Sequence, residues 1–155
     1  MPTKELFGRY LEDFCVGEVI EHWPGRTVTE SDDVLFCMLT MNHHPLHNDA
    51  AYAEDTQFGQ RVVAGPLVYS LVFGMTVPVV SGKAIANLAT SEMRHLKPVF
   101  HGDTLYARSE VLTVRDSESQ SDRGIVTVKT QGLNQKGEVV LEFQRAVMLP
   151  KRSPG

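Results

Sequence analysis

Three of the six histidines fall within five residues, in Met41-Asn42-His43-His44-Pro45-Leu46-His47-Asn48-Asp49, beside an aspartate and two asparagines. An imidazole ordinarily titrates near pH ~6.5, so it takes up and releases protons at neutral pH, as a general acid or base must. Eighteen residues beyond His47 stands Gly65, in Val63-Ala64-Gly65-Pro66. A glycine that opens a helix lets a substrate oxygen come close to its backbone N–H, with the positive end of the helix dipole behind it. A base near such a donor is what proton transfer beside a carbonyl requires. Plainer roles compete. His43, His44, His47 and Asp49 are all metal-ligand types, although adjacent histidines before a proline converge poorly on one ion. Asp49 suits a helix cap as well as a reaction. Gly65 alone is also what a tight turn uses.

The elements that must position these groups are legible in outline. Glu18 to Val28 reads as an extended stretch interrupted near Pro24-Gly25. Thr29-Glu30-Ser31-Asp32 supplies a cap and early negative charge, and Val34, Leu35, Cys37, Met38, Leu39 and Met41 follow at spacings that predict a helix to about Met41, stopped by Pro45. A short helix from Asn48 to Glu54 and a loop through Thr56-Gln57-Phe58-Gly59 come next. From Val62 to Gly82 there is no charge, but Gly65, Pro66, Gly74, Pro78 and Gly82 leave a central piece of only about three turns. That is too short to span a bilayer, and a helix buried on all sides is expected. Four strands follow, over 84–99, 104–114, 124–134 and 138–149, with turn chemistry at His101-Gly102-Asp103, Asp116 to Arg123 and Asn134 to Gly137. The short turns predict consecutive antiparallel neighbours, giving an α+β fold in which an antiparallel sheet wraps a central apolar helix.

The chain has 155 residues, the size of one domain, and a single domain over 1–155 is expected. Its formal net charge of −4 argues against a nucleic-acid partner, which needs a dense basic surface. Two cysteines, Cys15 and Cys37, are too few for a disulfide framework and suit a reducing, cytoplasmic setting. Glu5, Arg9, Glu12 and Asp13 interrupt the start, so neither a secretory signal nor a membrane segment is expected.

Nearly the whole chain resembles the MaoC-like dehydratases, the (R)-specific enoyl-CoA hydratase branch of the hotdog superfamily. The resemblance rests on Gly8-Arg9-Tyr10 with Asp13-Phe14 and Val16-Gly17, on Gly25 to Glu30 leading into Asp32, and on Asn42 with Pro45-Leu46-His47 and Asp49. Phe58-Gly59, Val63-Ala64-Gly65, Lys97-Pro98-Val99 and Gly102-Asp103-Thr104-Leu105 complete it. The family loop D-x-N-P-L-H-x-D is the more specific element. Carried over by position, the resemblance makes His47 the catalytic histidine and Gly65 the donor to a thioester oxygen. The family's catalytic aspartate falls on Asn42, which as an amide can orient a water but cannot exchange a proton at neutral pH. His44 also replaces the asparagine before Pro45. Either His47 carries out all the proton transfer, or Asp33 or Asp49 supplies the missing acid, or the activity is lost.

The implied reaction is reversible hydration of a 2-enoyl-CoA, and the Thr40-Met41-Asn42 to Pro45-Leu46-His47 form resembles hydratases of itaconyl-CoA or mesaconyl-CoA. Ala64 and Pro66 beside Gly65, Tyr69 on the apolar helix and Arg94 for a second carboxylate form the expected substrate-binding set. Arg61, Lys83 and Lys97 are candidates for CoA phosphates, and Phe73 and Met75 for the acyl pocket. No cofactor and no metal are called for by this chemistry, and a homodimer is expected from the exposed edge of such a sheet. A thioesterase and a disabled acyl-CoA-binding module are the competing classes. Asn42 favours the latter, and the pairing of His47 with Gly65 opposes it.

Overall fold

A computed structural model describes residues 4–153. Strand β1 (Val19–Thr27) is followed by helices α1 (Glu30–Leu39), α2 (Pro45–Asn48), α3 (Ala50–Glu54) and α4 (Gly65–Thr76). Then come β2 (Ala86–His95), β3 (Thr104–Asp116), β4 (Arg123–Leu133) and β5 (Val139–Pro150). The strands form one sheet in the order β1-β3-β4-β5-β2, antiparallel throughout.

Local chemistry sets the helix ends. The Thr29 hydroxyl accepts the Asp32 N–H at 3.2 Å while the Asp32 carboxylate accepts the Thr29 N–H at 2.8 Å, a reciprocal box that starts α1. The helix stops at Leu39, two residues before the expected end, because Met41 takes a φ of 58° and cannot continue a right-handed turn. The short helix expected over 48–54 is instead two pieces. Pro45 opens the first rather than only ending α1, and Asp49 divides them.

The sheet departs from the expected order at one place. β3, β4 and β5 form the consecutive meander, but β2 does not pair with β3; it lies on the far edge, against β5. The eight residues between them, 96–103, therefore carry the chain past the ends of two strands, a span of about 14 Å that an extended segment covers easily. The backbone of this crossing is satisfied on the way: Leu96 donates to Val140, and Val99 accepts from Val63 at 2.8 Å.

Leu67, Val68 and Val72 of α4 pack with Leu105, Ala107, Val140, Leu141 and Phe143 on the inner face of the sheet. The approach is close: a Cβ on Gly132 would stand 2.6 Å from a Val72 methyl. However, α4 is not buried all round. Pro66, Ser70 and Gly74 are exposed, because five strands cover one side of a helix and leave the opposite stripe free. Pro78 does not break the helix outright either; it falls in a wider turn over Val77–Ser81 that continues it. Among the described residues, no helix is long and apolar enough to cross a membrane.

Beneath the C-terminal end of α4 lies Arg145, fully buried on β5. Its guanidinium donates to the hydroxyls of Thr76 (2.6 Å) and Ser81 (3.2 Å) and lies 4.1 Å from the centre of the Phe73 ring. The carbonyl end of a helix favours a cation there. Burial lowers its pKa to about 10, so it stays charged at neutral pH. His22, also buried and bonded to Ser109 at 2.9 Å, is pushed down to about 4 by burial and then by the charge of Arg145. The unfolded chain therefore binds this proton more readily than the native one. Its contribution to stability is complete above pH ~6.5 and is lost as pH falls toward 4. Denaturant unfolding at stepped pH should show a steeper loss over that interval in the wild type than in His22→Gln; equal slopes would exclude His22 as the source.

Candidate active site

His47 is presented by a single helical turn. Pro45 fixes its first residue, and His44 caps it, with Nδ1 accepting the Leu46 N–H at 3.1 Å. Asp49 ends that turn and starts the next, its carboxylate accepting the Tyr52 N–H at 3.0 Å, so the capping role is the one observed. His47 Nδ1 lies 2.7 Å from the Val62 carbonyl oxygen. A carbonyl only accepts, so Nδ1 carries the proton and Nε2 is left as the basic nitrogen.

Val62 begins a strip whose N–H groups are bound one after another to different parts of the fold. Val62 donates to Leu46 O at 3.2 Å, Val63 to Val99 O at 2.8 Å, and Ala64 to the Asp33 carboxylate at 3.0 Å. The next N–H in the series is that of Gly65, the first residue of α4, and among the described residues it has no protein acceptor. First-turn helix N–H groups lack intrahelical partners. His47 and Gly65 line one cavity of about 300 Å³, together with Phe58, Val62, Val63, Val68 and the segment His95 to Val99. The arrangement joins a basic nitrogen to a free main-chain donor, the pair needed for proton transfer next to a carbonyl whose oxygen becomes negative.

Asp33 has no solvent exposure and does not line this cavity. One carboxylate oxygen takes the Ala64 N–H; the other accepts from His101 Nε2 at 2.7 Å. It therefore joins α1, the entrance to α4 and the turn before β3. The neighbouring Cys37 thiol is raised to about 11, first by burial and then by the Asp33 charge, which leaves it an unreactive core residue.

Several residues singled out in the sequence lie elsewhere. Asn42 precedes α2, holding Asn48 through its backbone carbonyl at 3.2 Å, and is not part of the cavity wall. Ala64 is buried with its N–H committed to Asp33, and Pro66 is exposed on the outer stripe of α4. Tyr69 packs edge-on against Phe143, 5.0 Å between centroids, and bonds Thr90 at 3.1 Å. Arg94 borders a separate groove with Glu92, Lys129 and Glu142. Arg61 is paired with Glu30 at 2.6 Å, and Lys83 is bound to the carbonyls of Lys4, Glu5 and Phe7. Of the three candidate phosphate cations, only Lys97 lines the cavity, paired with Glu138. His95, which the sequence reading passed over, lies against Gly65: its Cε1 and Nε2 are 2.9 and 3.2 Å from where a Cβ on that glycine would stand. A side chain at position 65 would push this ring away from the glycine.

A helix seated in an antiparallel sheet, with this imidazole and amide at the helix entrance, defines a hotdog-fold protein; a double-hotdog protein of Mycobacterium tuberculosis superposes with a TM-score of 0.83 at 24% identity, over 96% of this chain and 47% of that one. The MaoC-like domain matches residues 13–133, and the chain belongs to that family. It is 42% identical over 145 residues to a mesaconyl-CoA hydratase of Cereibacter sphaeroides, covering 94% of this chain but only 42% of that enzyme. It is 31% identical to an (R)-specific enoyl-CoA hydratase of Rhodospirillum rubrum, over 98% of this chain and 99% of that enzyme. A MaoC domain dehydratase structure from Chloroflexus aurantiacus superposes with a TM-score of 0.92 at 37% identity, over 100% of this chain and 43% of that one. The chain thus spans about two fifths of the length of the mesaconyl-CoA hydratase it matches.

Removing the Asp33 carboxylate strands the Ala64 N–H and the His101 ring. Asp33→Ala should destabilise the fold by about 1–3 kcal/mol in urea titrations, with Asp33→Asn, which keeps an acceptor for Ala64, losing less. Equal losses would show that the Ala64 bond contributes nothing.

Proposed function

We propose that the protein adds water reversibly across the α,β double bond of an enoyl-CoA thioester. The observation that carries this reading is the shared cavity in which the His47 imidazole and the unpartnered Gly65 N–H both lie. His47 Nε2 takes a proton from water as its oxygen attacks the β-carbon, and the Val62 carbonyl holds the ring in the tautomer that makes this nitrogen basic. Charge driven onto the thioester oxygen is held by the Gly65 N–H, a kind of donor whose loss costs about 10²–10³ in rate. Asn42, off the cavity wall, supports the loop that presents His47 rather than moving a proton. No cofactor enters this scheme.

The substrate is a short branched dicarboxylic thioester of the mesaconyl-CoA or itaconyl-CoA kind. Support comes from the hydratase named above and from the Asn42 to His47 loop form. Lys97, paired with Glu138 at the cavity wall, is the cation nearest to an anionic group of such a substrate. The outer strand β2 is exposed along nearly its whole length and carries Leu88 and Met93, with Ile85 and Leu96 flanking it. An unpaired apolar edge favours strand pairing. We read it as the joint with a second copy in a homodimer, which would also roof the cavity beside His95 to Pro98.

Crotonyl-, itaconyl- and mesaconyl-CoA should be followed at the enoyl absorbance with free thiol measured in parallel. Loss of enoyl signal without thiol supports hydration; thiol release indicates a thioesterase; binding with neither indicates a module without turnover. His47→Ala should lower hydration by at least about 10²-fold while the melting temperature is retained. Near-normal activity in that variant would refute the assignment.

A further inference from the structure

Hydration moves two protons: one leaves water, and one arrives at the α-carbon. His47 serves the first transfer; the second needs either the proton His47 has just taken or a separate acid. Asn42 is an amide and stands off the cavity wall. Asp33 is sealed against Ala64 and His101, and Asp49 caps α3. No carboxylate is among the described residues that line the cavity.

A second imidazole is. His95 ends β2, its backbone paired opposite Leu141 of β5. The pairing of β2 with β5 is irregular between Ser91 and Arg94, where Glu92 takes a φ of 51°. Beyond that bulge, alternation puts Arg94 into the groove with Lys129 and Glu142 and His95 into the cavity with His47. The His95 ring tip, Cε1 and Nε2, lies against Gly65, the residue whose N–H would hold the thioester oxygen. Among the described residues, neither ring nitrogen has a hydrogen-bond partner. The other titratable groups on the cavity wall are His47, bound to Val62, and Lys97, paired with Glu138. The apolar neighbours Phe58, Val63, Val68 and Val99 supply no competing charge.

We propose that His95 is a second catalytic residue, the acid that protonates the α-carbon; this rests on the hydratase reading above. As a water lone pair forms the bond to the β-carbon, His47 takes one water proton. The π pair shifts to leave an enolate whose oxygen sits on the Gly65 N–H. The enolate then collapses, its α-carbon taking the Nε2 proton of protonated His95, whose N–H bonding pair stays on nitrogen. One water is added, His47 has gained a proton and His95 has lost one, and exchange with bulk water resets both. The arrangement divides between two imidazoles the work for which Asn42 is chemically unfit.

The test is the pH–rate profile of hydration for the wild type, His95→Gln and His95→Phe, with folding checked by melting temperature. The wild-type rate should fall at both ends of the profile, as a reaction that needs one free base and one protonated acid requires. His95→Gln keeps a hydrogen-bond donor but cannot transfer a proton, so kcat should fall by at least about 10²-fold with KM changed far less, and the high-pH loss should vanish. His95→Phe, which keeps a ring of similar size, should fall equally. Either folded variant within about threefold of wild type, with the same profile, would overturn the proposal. So would a wild-type profile with no high-pH loss. Failure of the folded wild type to hydrate any of the three thioesters would instead refute the hydratase reading itself.

Discussion

Three consecutive peptide N–H groups, those of Val62, Val63 and Ala64, bind three different parts of the molecule, and the site depends on that strip. Its first residue accepts His47 Nδ1 and thereby fixes the ring and its tautomer. Its last is tied to Asp33 through its N–H and accepts from Leu67 and Val68 through its carbonyl, so the peptide leading into Gly65 cannot rotate freely. The base and the free amide belong to separate elements, yet one short extended segment sets the position of both. The proton transfer proposed for this site is sensitive to displacements of about 1 Å, which would make a rigid shared support more valuable than strength in any single bond.

The support is costly to build. Asp33 is a carboxylate with no exposure, and a buried charge destabilises unless it is paired and hydrogen-bonded. His101 and the Ala64 N–H provide those partners, from the crossing between β2 and β3 and from the entrance to α4. The crossing itself exists because β2 lies at the opposite edge of the sheet from where a simple hairpin would leave it. That topology brings Val99 against Val63 and places His95 to Pro98 along the cavity wall.

Much of this was legible in the residues, and the exceptions share a cause. The pairing of His47 with Gly65, the helix-in-sheet plan and the β3-β4-β5 meander follow from local signals: a histidine-rich loop, a glycine before a proline, alternation and turns. What escaped depends on nonlocal geometry. Arg94 and His95 are adjacent, and which of them enters the site turns on strand parity after a bulge at Glu92, invisible to composition. Asp33 looked like a spare acid, and only its burial against His101 reveals a structural tie. The exposure of Pro66, Ser70 and Gly74 on α4 reflects how far five strands can wrap, which an apolar run does not disclose. His44 is a metal-ligand type in sequence and a helix cap in space.

The most direct measurement is the nitrogen-15 spectrum of the histidine side chains near neutral pH, with the His47 signals assigned by their loss in His47→Gln. The hydrogen bond to Val62 requires neutral His47 to hold its proton on Nδ1 and to leave Nε2 bare, ready to accept from water. A neutral ring protonated on Nε2 instead would mean that the Val62 carbonyl does not hold it, and that the base and the amide are not supported by one strip.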